Sequence, residues 1–339
     1  LWQRWDSVLM IDYHDIEAVK EKIGDRKVVV SVSGGKDSTA ACLYMKELGL
    51  DYEAIFFDTG WEHPDTYEYI ENFLPSVIGP IKRLVQKREM RTPELEELAQ
   101  KYEDRIGWYS PMVRWIIFKG MFPSRVRRYC TQHLKVFPAR DYLKAMEDEP
   151  INVVGIRAQE SSSRAAMGEW EMSDTFDCEV WRPLHQWKIE DVIEIHQKYG
   201  VRPNPLYLGK NPSERVGCYP CIFARKSEIR TMAANFPDRI QLLADLEKDI
   251  EKLARARYEI KKEKGETKDF NSPTWFQNPM SRPDPVTGKR AGDTWPIAKV
   301  VQWSRTRWGG KQYELFAASP GEQGCVRWGM CDTYGEDKE

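Results

Sequence analysis

The run Val28-Val29-Val30-Ser31-Val32, followed at once by Ser33-Gly34-Gly35-Lys36-Asp37-Ser38, admits few folds. It is an apolar strand that empties into a glycine-bearing loop, with helix-compatible residues from Thr39 to Leu48 behind it. Adjacent glycines let successive backbone N–H groups turn toward one anion. The start of the following helix adds the positive end of its dipole, and Lys36 adds a mobile cation. The segment reads as a phosphate cradle; the bland alternative is a polar surface turn. The same alternation continues along the first two thirds of the chain. Lys27 to Ser33, Glu53 to Asp58, Ile81 to Gln86 and Ile151 to Ile156 read as short strands, with amphipathic helical segments between them. The expected fold class is α/β, a parallel twisted sheet with helices on both faces. Ligands in such sheets bind beyond the carboxyl ends of the strands. Three strands end there in expressive residues: Ser33, Asp58-Thr59-Gly60 and Gly155-Ile156-Arg157.

The spacing excludes the two commoner phosphate loops. Lys36 follows Gly35 with no four-residue gap between glycines, and there is no G-x-G-x-x-G. Ser33 to Ser38 instead resembles the signature of the PP-loop ATP pyrophosphatases, with their adenine nucleotide alpha hydrolase-like fold. That resemblance implies ATP with Mg²⁺, scission between the α and β phosphorus, and adenylation of a substrate. It makes Ser33, Gly34, Gly35, Lys36, Asp37, Ser38, Asp58, Thr59, Gly155 and Arg157 the expected nucleotide contacts. Asp58 at the end of its strand can orient Mg²⁺ or the ribose, or it can cap the helix after Trp61. Arg157 and Arg164 can clamp an α-phosphate or a leaving pyrophosphate.

Further stretches narrow the resemblance to the branch that holds phosphoadenosine phosphosulfate reductase, the ATP sulfurylase small subunit and the DNA phosphorothioation protein DndC. They are Phe57 to Gly60, Tyr129 to Lys135, Gly155 to Arg164, Trp181 to Leu184 with Trp187 and Asp191-Val192, and Asn204 to Tyr207 leading to Gly217-Cys218-Tyr219-Pro220-Cys221. The similarity covers about Lys27 to Arg230. Sulfonucleotide reductases of this group lack the loop lysine and aspartate, whereas members that cleave ATP keep them. Retention of Lys36 and Asp37 implies ATP-driven activation.

The chain has seven cysteines. In a reducing compartment they read as metal ligands or catalytic groups rather than structural disulfides. Cys218 and Cys221 form a C-x-x-C, Cys130 lies in a basic stretch, and such thiols suit zinc or a [4Fe-4S] cluster. The resemblance favours iron and sulfur. A fourth ligand would come from Cys331 or Cys325, or the position would stay open, as in cluster-dependent tRNA thiolases such as TtcA. Cys42 reads as core, Cys178 is undecided, and His133 is open between ligand, proton carrier and solvated side chain.

Net charge is −2, so overall charge predicts no polyanion partner, but local charge does. Pro111 to Arg140 holds no acid, while Arg114, Lys119, Arg125, Arg127, Arg128, Lys135 and Arg140 alternate with aromatics. That pattern suits ATP phosphates, an anionic cluster or a nucleic-acid backbone. The expected organisation is a nucleotide domain over residues 1–236, a charged helical flank over 237–277, a linker over 278–294 and a small Trp- and Cys-containing element over 295–339. With no signal pattern and no bilayer-length apolar run, the expected location is cytoplasmic. The expected partners are a nucleic acid, DNA ahead of tRNA, a cysteine desulfurase as sulfur donor and other modification-complex subunits. The competing expectation is a sulfonucleotide reductase of sulfate assimilation.

Overall fold

The computed structural model describes residues 14–208, 212–213, 215–265, 267, 269–281 and 293–306. Six strands form the main sheet: β1 (Val28–Val32), β2 (Glu53–Asp58), β3 (Ile81–Val85), β4 (Ile151–Val153), β5 (Trp170–Ser173) and β6 (Cys178–Trp181). Their spatial order is β3-β2-β1-β4-β6-β5. All neighbouring pairs are parallel except β5 with β6. The chain therefore runs outward from β1 through β2 to β3, then returns to build β4 on the other side of β1. That reversal opens a crevice at the carboxyl ends of β1 and β4, where a doubly wound sheet receives its ligand.

The four strands read from the sequence are present, with β4 shorter than its pattern. Beyond Val153 the backbone rises over the start of the helix Lys36–Glu47, so close that a Cβ on Gly155 would lie 2.6 Å from the Asp37 carbonyl oxygen. The β5–β6 hairpin escaped the sequence reading and turns at Asp177, which takes φ 58°.

Two cores form. One packs the sheet against Lys36–Glu47 and the helix Ile189–Lys198, with Val30, Ala41, Leu43, Trp181 and Trp187 at its centre. The other joins Trp61, the helix Pro111–Lys119, the Cys130 turn and the long helix Pro237–Glu263. Leu242, Leu243, Leu246 and Ile250 supply the apolar stripe of that helix. Trp275, Phe276, Ile297 and Val300 complete the same core, brought in by the short pair β7 (Phe276–Gln277) and β8 (Thr294–Trp295) and the helix Ile297–Ser304. The helical segment from 237 is a wall of the Cys-bearing region. Among the described residues no helix is long and apolar enough to cross a membrane.

Candidate functional site

The cradle forms as its sequence dictates. Gly34 takes φ 70°, and a Cβ there would meet Thr66 Cγ2 at 2.9 Å, so glycine is required both for conformation and for space. Gly35 is the helix N-cap and offers no side chain to the first turn. The N–H groups that an ordinary cap would satisfy receive no side chain from Gly35 and are left to other acceptors. The loop is internally braced: the Ser38 hydroxyl donates to Gly35 O at 2.9 Å and accepts from Ser33 N at 3.1 Å.

Opposite it stands a segment that the sequence marked only as a motif. Asn204 Nδ2 donates to Gly34 O at 3.2 Å, and the buried Tyr207 hydroxyl accepts from Lys36 N and Val216 N, each at 3.3 Å. Burial pushes the Tyr207 phenol above its ordinary value. Lys36 Nζ lies 5.0 Å from the Tyr207 ring centroid and 3.4 Å from Asp37 Oδ2. Arg157, 5% exposed, places Nε 2.5 Å from Asp37 Oδ1 and donates from Nη1 to Gln159 at 2.9 Å. Lys36, Asp37, Arg157 and Gly155 therefore converge across the β1/β4 crevice. Arg164 is tied to Glu160, which also accepts from Arg157 N at 3.0 Å, so the second arginine reaches the site through a carboxylate. His196, missed in the sequence, is buried behind this group and donates from Nδ1 to Val192 O at 2.7 Å. Burial pushes it down to about 4 and keeps it neutral.

Asp58 sits differently from its expected role. It is 1% exposed, and both oxygens are committed: Oδ2 accepts from Arg83 Nε at 2.9 Å and Nη2 at 2.7 Å, while Oδ1 accepts from Tyr67 OH at 2.6 Å and Gly60 N at 2.8 Å. No lone pair is left facing a cation, so this carboxylate does not fit a Mg²⁺ ligand. Nor does it cap the following helix, since His63 does that through Nδ1 to Asp65 N. Its function here is to hold the β2 corner. Thr59 turns away from the crevice as well, donating to both oxygens of the buried Glu62 at 2.8 and 2.9 Å.

Gly60 shows how tight that corner is. It takes φ 64°, and a Cβ would fall 2.4 Å from Ser110 Cα and 2.7 Å from Tyr109 O. Gly60→Ala is expected to destabilise the protein by about 3 kcal/mol or more, from left-handed strain plus backbone overlap. Thermal melting checks this; an unchanged melting temperature would mean that the corner shifts freely.

The thiols lie next along the same corner. The segment 216–221 starts against the cradle, with Val216 O 3.7 Å from a Cβ placed on Gly35. It ends on Trp61, which accepts from Tyr219 N at 2.7 Å and donates through Nε1 to Pro220 O at 3.3 Å. Cys218 Sγ is 4.0 Å from Glu62 Oε1. Cys130, Cys218 and Cys221 share Lys135 as an electrostatic neighbour. Burial works against the Lys135 charge, but Cys218, Glu62, Cys221 and Cys130 outweigh it and hold the lysine above its usual range. Burial likewise pushes the Cys218 thiol up to about 12, against the pull of Lys135. Among the described residues no three His, Cys, Asp or Glu side chains are grouped closely enough to hold a single metal ion. Three thiols thus share one sequestered cation as an electrostatic neighbour. Cys42 is fully buried in the first core and Cys178 is buried against Val29 and Ile55. Cys325 and Cys331 lie outside the described residues.

The basic stretch divides. Arg114 is buried and saturated by Glu96 and Glu103, Lys135 faces the thiols, and Arg140 pairs with Asp141. Arg125, Arg127 and Arg128 are exposed. His133 lies flat on Trp115, ring centroids 3.9 Å apart.

Residues 27–224 match the phosphoadenosine phosphosulfate reductase domain, and the chain belongs to that family. It is 34% identical over 90% of its length, and 96% of the relative's, to an uncharacterized 37.8 kDa protein of Escherichia phage 186. It is 26% identical to the adenosine 5'-phosphosulfate reductase of Bacillus velezensis, covering 58% of this chain and 74% of that one. A crystal structure of phosphoadenylyl-sulfate reductase from Candida auris, in complex with phosphate, matches 56% of this chain and 82% of its own. The identity is 18% and the TM-score 0.39.

Proposed function

We propose that this chain is an AMP-forming ATP pyrophosphatase and sulfurtransferase, acting on a nucleic acid, with the DNA backbone ranked first as acceptor. The observation that carries the reading is the intact Lys36–Asp37 pair at an uncapped helix start, locked to Arg157 across the sheet's switch point. The loop amides and Lys36 would hold the β and γ phosphates. Asp37 would meet Mg²⁺ at the triphosphate, and Arg157 would neutralise charge that builds on the reacting phosphates. An acceptor oxygen attacks the α-phosphorus, the bond to the β-phosphate oxygen breaks, and pyrophosphate leaves. A sulfur at the sulfide level then attacks the activated acceptor atom, and AMP departs with the acceptor oxygen. A cysteine desulfurase would be the ultimate sulfur source, and other modification subunits would present the acceptor.

Cys130, Cys218 and Cys221 would hold a [4Fe-4S] cluster, a group that supplies sulfur-binding iron when present. Support for working it into the same site comes from the 216–221 segment, which touches both the cradle and Trp61. A cluster-dependent tRNA thiolase would use the same residues on a different acceptor.

A second reading, reduction of a sulfonucleotide, is favoured by the similarity to the Bacillus velezensis enzyme and by the Cys218–Cys221 pair. One experiment separates them. Anaerobically purified chain is incubated with α-labelled ATP, and the same sample is analysed for iron and acid-labile sulfide. AMP with pyrophosphate is expected; ADP, or no cleavage beside thiol-dependent sulfite release from a sulfonucleotide, would replace the first reading with the second.

A further inference from the structure

The Pro111–Lys119 helix carries a crowd of cations that the proposed chemistry does not use. Arg88 lies 3.5 Å from the Phe118 ring centroid and 4.2 Å from that of Trp115, and Arg91 lies 4.2 Å from Phe118. Lys119 is 5.1 Å from Trp115 and 5.3 Å from Tyr129. Arg257, from the long helix, donates through Nη2 to Phe118 O at 3.3 Å. Three chain segments thus bring four positive charges to one pair of aromatic rings.

We infer that this face, formed by Arg88, Arg91, Lys119 and Arg257 around Trp115 and Phe118, binds the phosphate backbone of a nucleic acid. The choice of polyanion rests on the acceptor class proposed above; the surface itself rests on its own geometry. Among the described residues none of the four cations has an ion-pair partner, and Glu89, the acid within their segment, is exposed and makes none with them. Arg114 on the same helix is the contrast, since as a structural arginine it is matched by two carboxylates. Donors also exceed acceptors here: Arg88 Nε and Trp115 Nε1 are buried with no hydrogen-bond partner. The crowding is felt electrostatically. Burial and then Arg91 hold both Arg88 and Arg257 below the usual arginine range, while burial, Lys119 and Arg88 do the same to His133. A bound polyanion relieves that repulsion.

The aromatic faces explain why the cations stay together. Each ring's negative face is occupied by a guanidinium or by His133, which offsets part of the mutual repulsion. Those faces are consequently closed to bases, so the surface reads backbone charge and not sequence. The patch extends further than one phosphate group. Tyr129 beside Lys119 leads to Arg128, and Arg128 and Arg125 lie 5.1 and 5.6 Å from the ring of Phe223, two residues beyond Cys221. The basic track ends at the thiols, where a nucleic acid would be worked on.

The test uses the full chain and a labelled random-sequence DNA oligonucleotide, single- or double-stranded, followed by anisotropy without ATP across a salt series. Arg91→Glu with Lys119→Glu is expected to weaken binding at low salt by at least about 10-fold, and the log–log salt slope should fall by roughly 2, one per lost phosphate contact. The neutral pair Arg91→Gln with Lys119→Gln should show a smaller loss in the same direction, with an unchanged melting temperature as the folding control. Equal affinity and slope in wild type and both variants would overturn the inference, as would a wild type that binds no DNA or that binds tripolyphosphate equally tightly. AMP formation from ATP is measured on the same preparations without DNA. Lost DNA binding in a chain that never forms AMP would leave this surface standing and remove the proposed catalytic function.

Discussion

Replacing Lys36 with alanine is expected to lower AMP-forming ATP cleavage by about 10²–10³-fold, the scale of losing one preorganised donor at a charge-bearing transition state. The fold should not change. Lys36 Nζ contacts Asp37 Oδ2 only at 3.4 Å and the Tyr207 ring at 5.0 Å, while the loop's shape depends on Ser38, Asn204 and the two glycines. The backbone bond from Lys36 N to Tyr207 survives truncation of the side chain. Release of AMP and pyrophosphate, followed with the melting temperature, checks both halves. Turnover at the wild-type rate would take the loop out of the reaction, whatever else the site does.

That loop was the most legible part of the molecule because its main determinants are local: a buried strand, two glycines and a helix start lie within a few residues of each other, with Asn204 and Tyr207 bracing them from outside. Helix Pro237–Glu263 was legible for a similar reason, its apolar stripe being written along one segment. What the sequence hid was partnership across the chain. Asp58 reads as a free carboxylate at a strand end until the register of β3 brings Arg83 beside it and the next helix brings Tyr67. Lys135 and Arg114 look like members of one basic surface, yet one turns toward three thiols and the other is consumed by Glu96 and Glu103. Glu62 gave no sequence signal because its partners, Thr59, Tyr67 and Cys218, define it only in three dimensions. The β5–β6 hairpin was missed because its strands are four residues each and carry a glutamate in the second position.

Glu247→Ala is expected to have the largest effect on stability, although this residue lies on the charged flanking helix Pro237–Glu263. Its carboxylate is 6% exposed and clasps two separate elements: Oε1 accepts from Trp275 N at 2.9 Å, and Oε2 from Ile297 N, the first residue of the last described helix, at 2.8 Å. Alanine leaves both N–H groups buried and unpaired, at a cost of about 2–5 kcal/mol. The penalty should depend on pH. Burial, partly opposed by those two N–H donors, pushes the Glu247 carboxyl up to about 7 from its ordinary 4.5. The folded protein therefore takes up this proton before the unfolded chain does. Stability from the group is fully present below about pH 4.5 and is lost as pH rises through 7, by an amount of roughly 3 kcal/mol at most. The difference in melting temperature between wild type and Glu247→Ala should accordingly be larger at pH 5 than at pH 8; a difference independent of pH would mean that Glu247 titrates as an ordinary surface carboxylate. The consequence reaches the thiols. Trp275 stacks on Trp61 at 5.1 Å, and Trp61 straps the Cys218–Cys221 loop, so releasing the clasp should speed labelling of those cysteines by a thiol reagent under native conditions. Labelling at the wild-type rate would separate the C-terminal wall from the loop it covers.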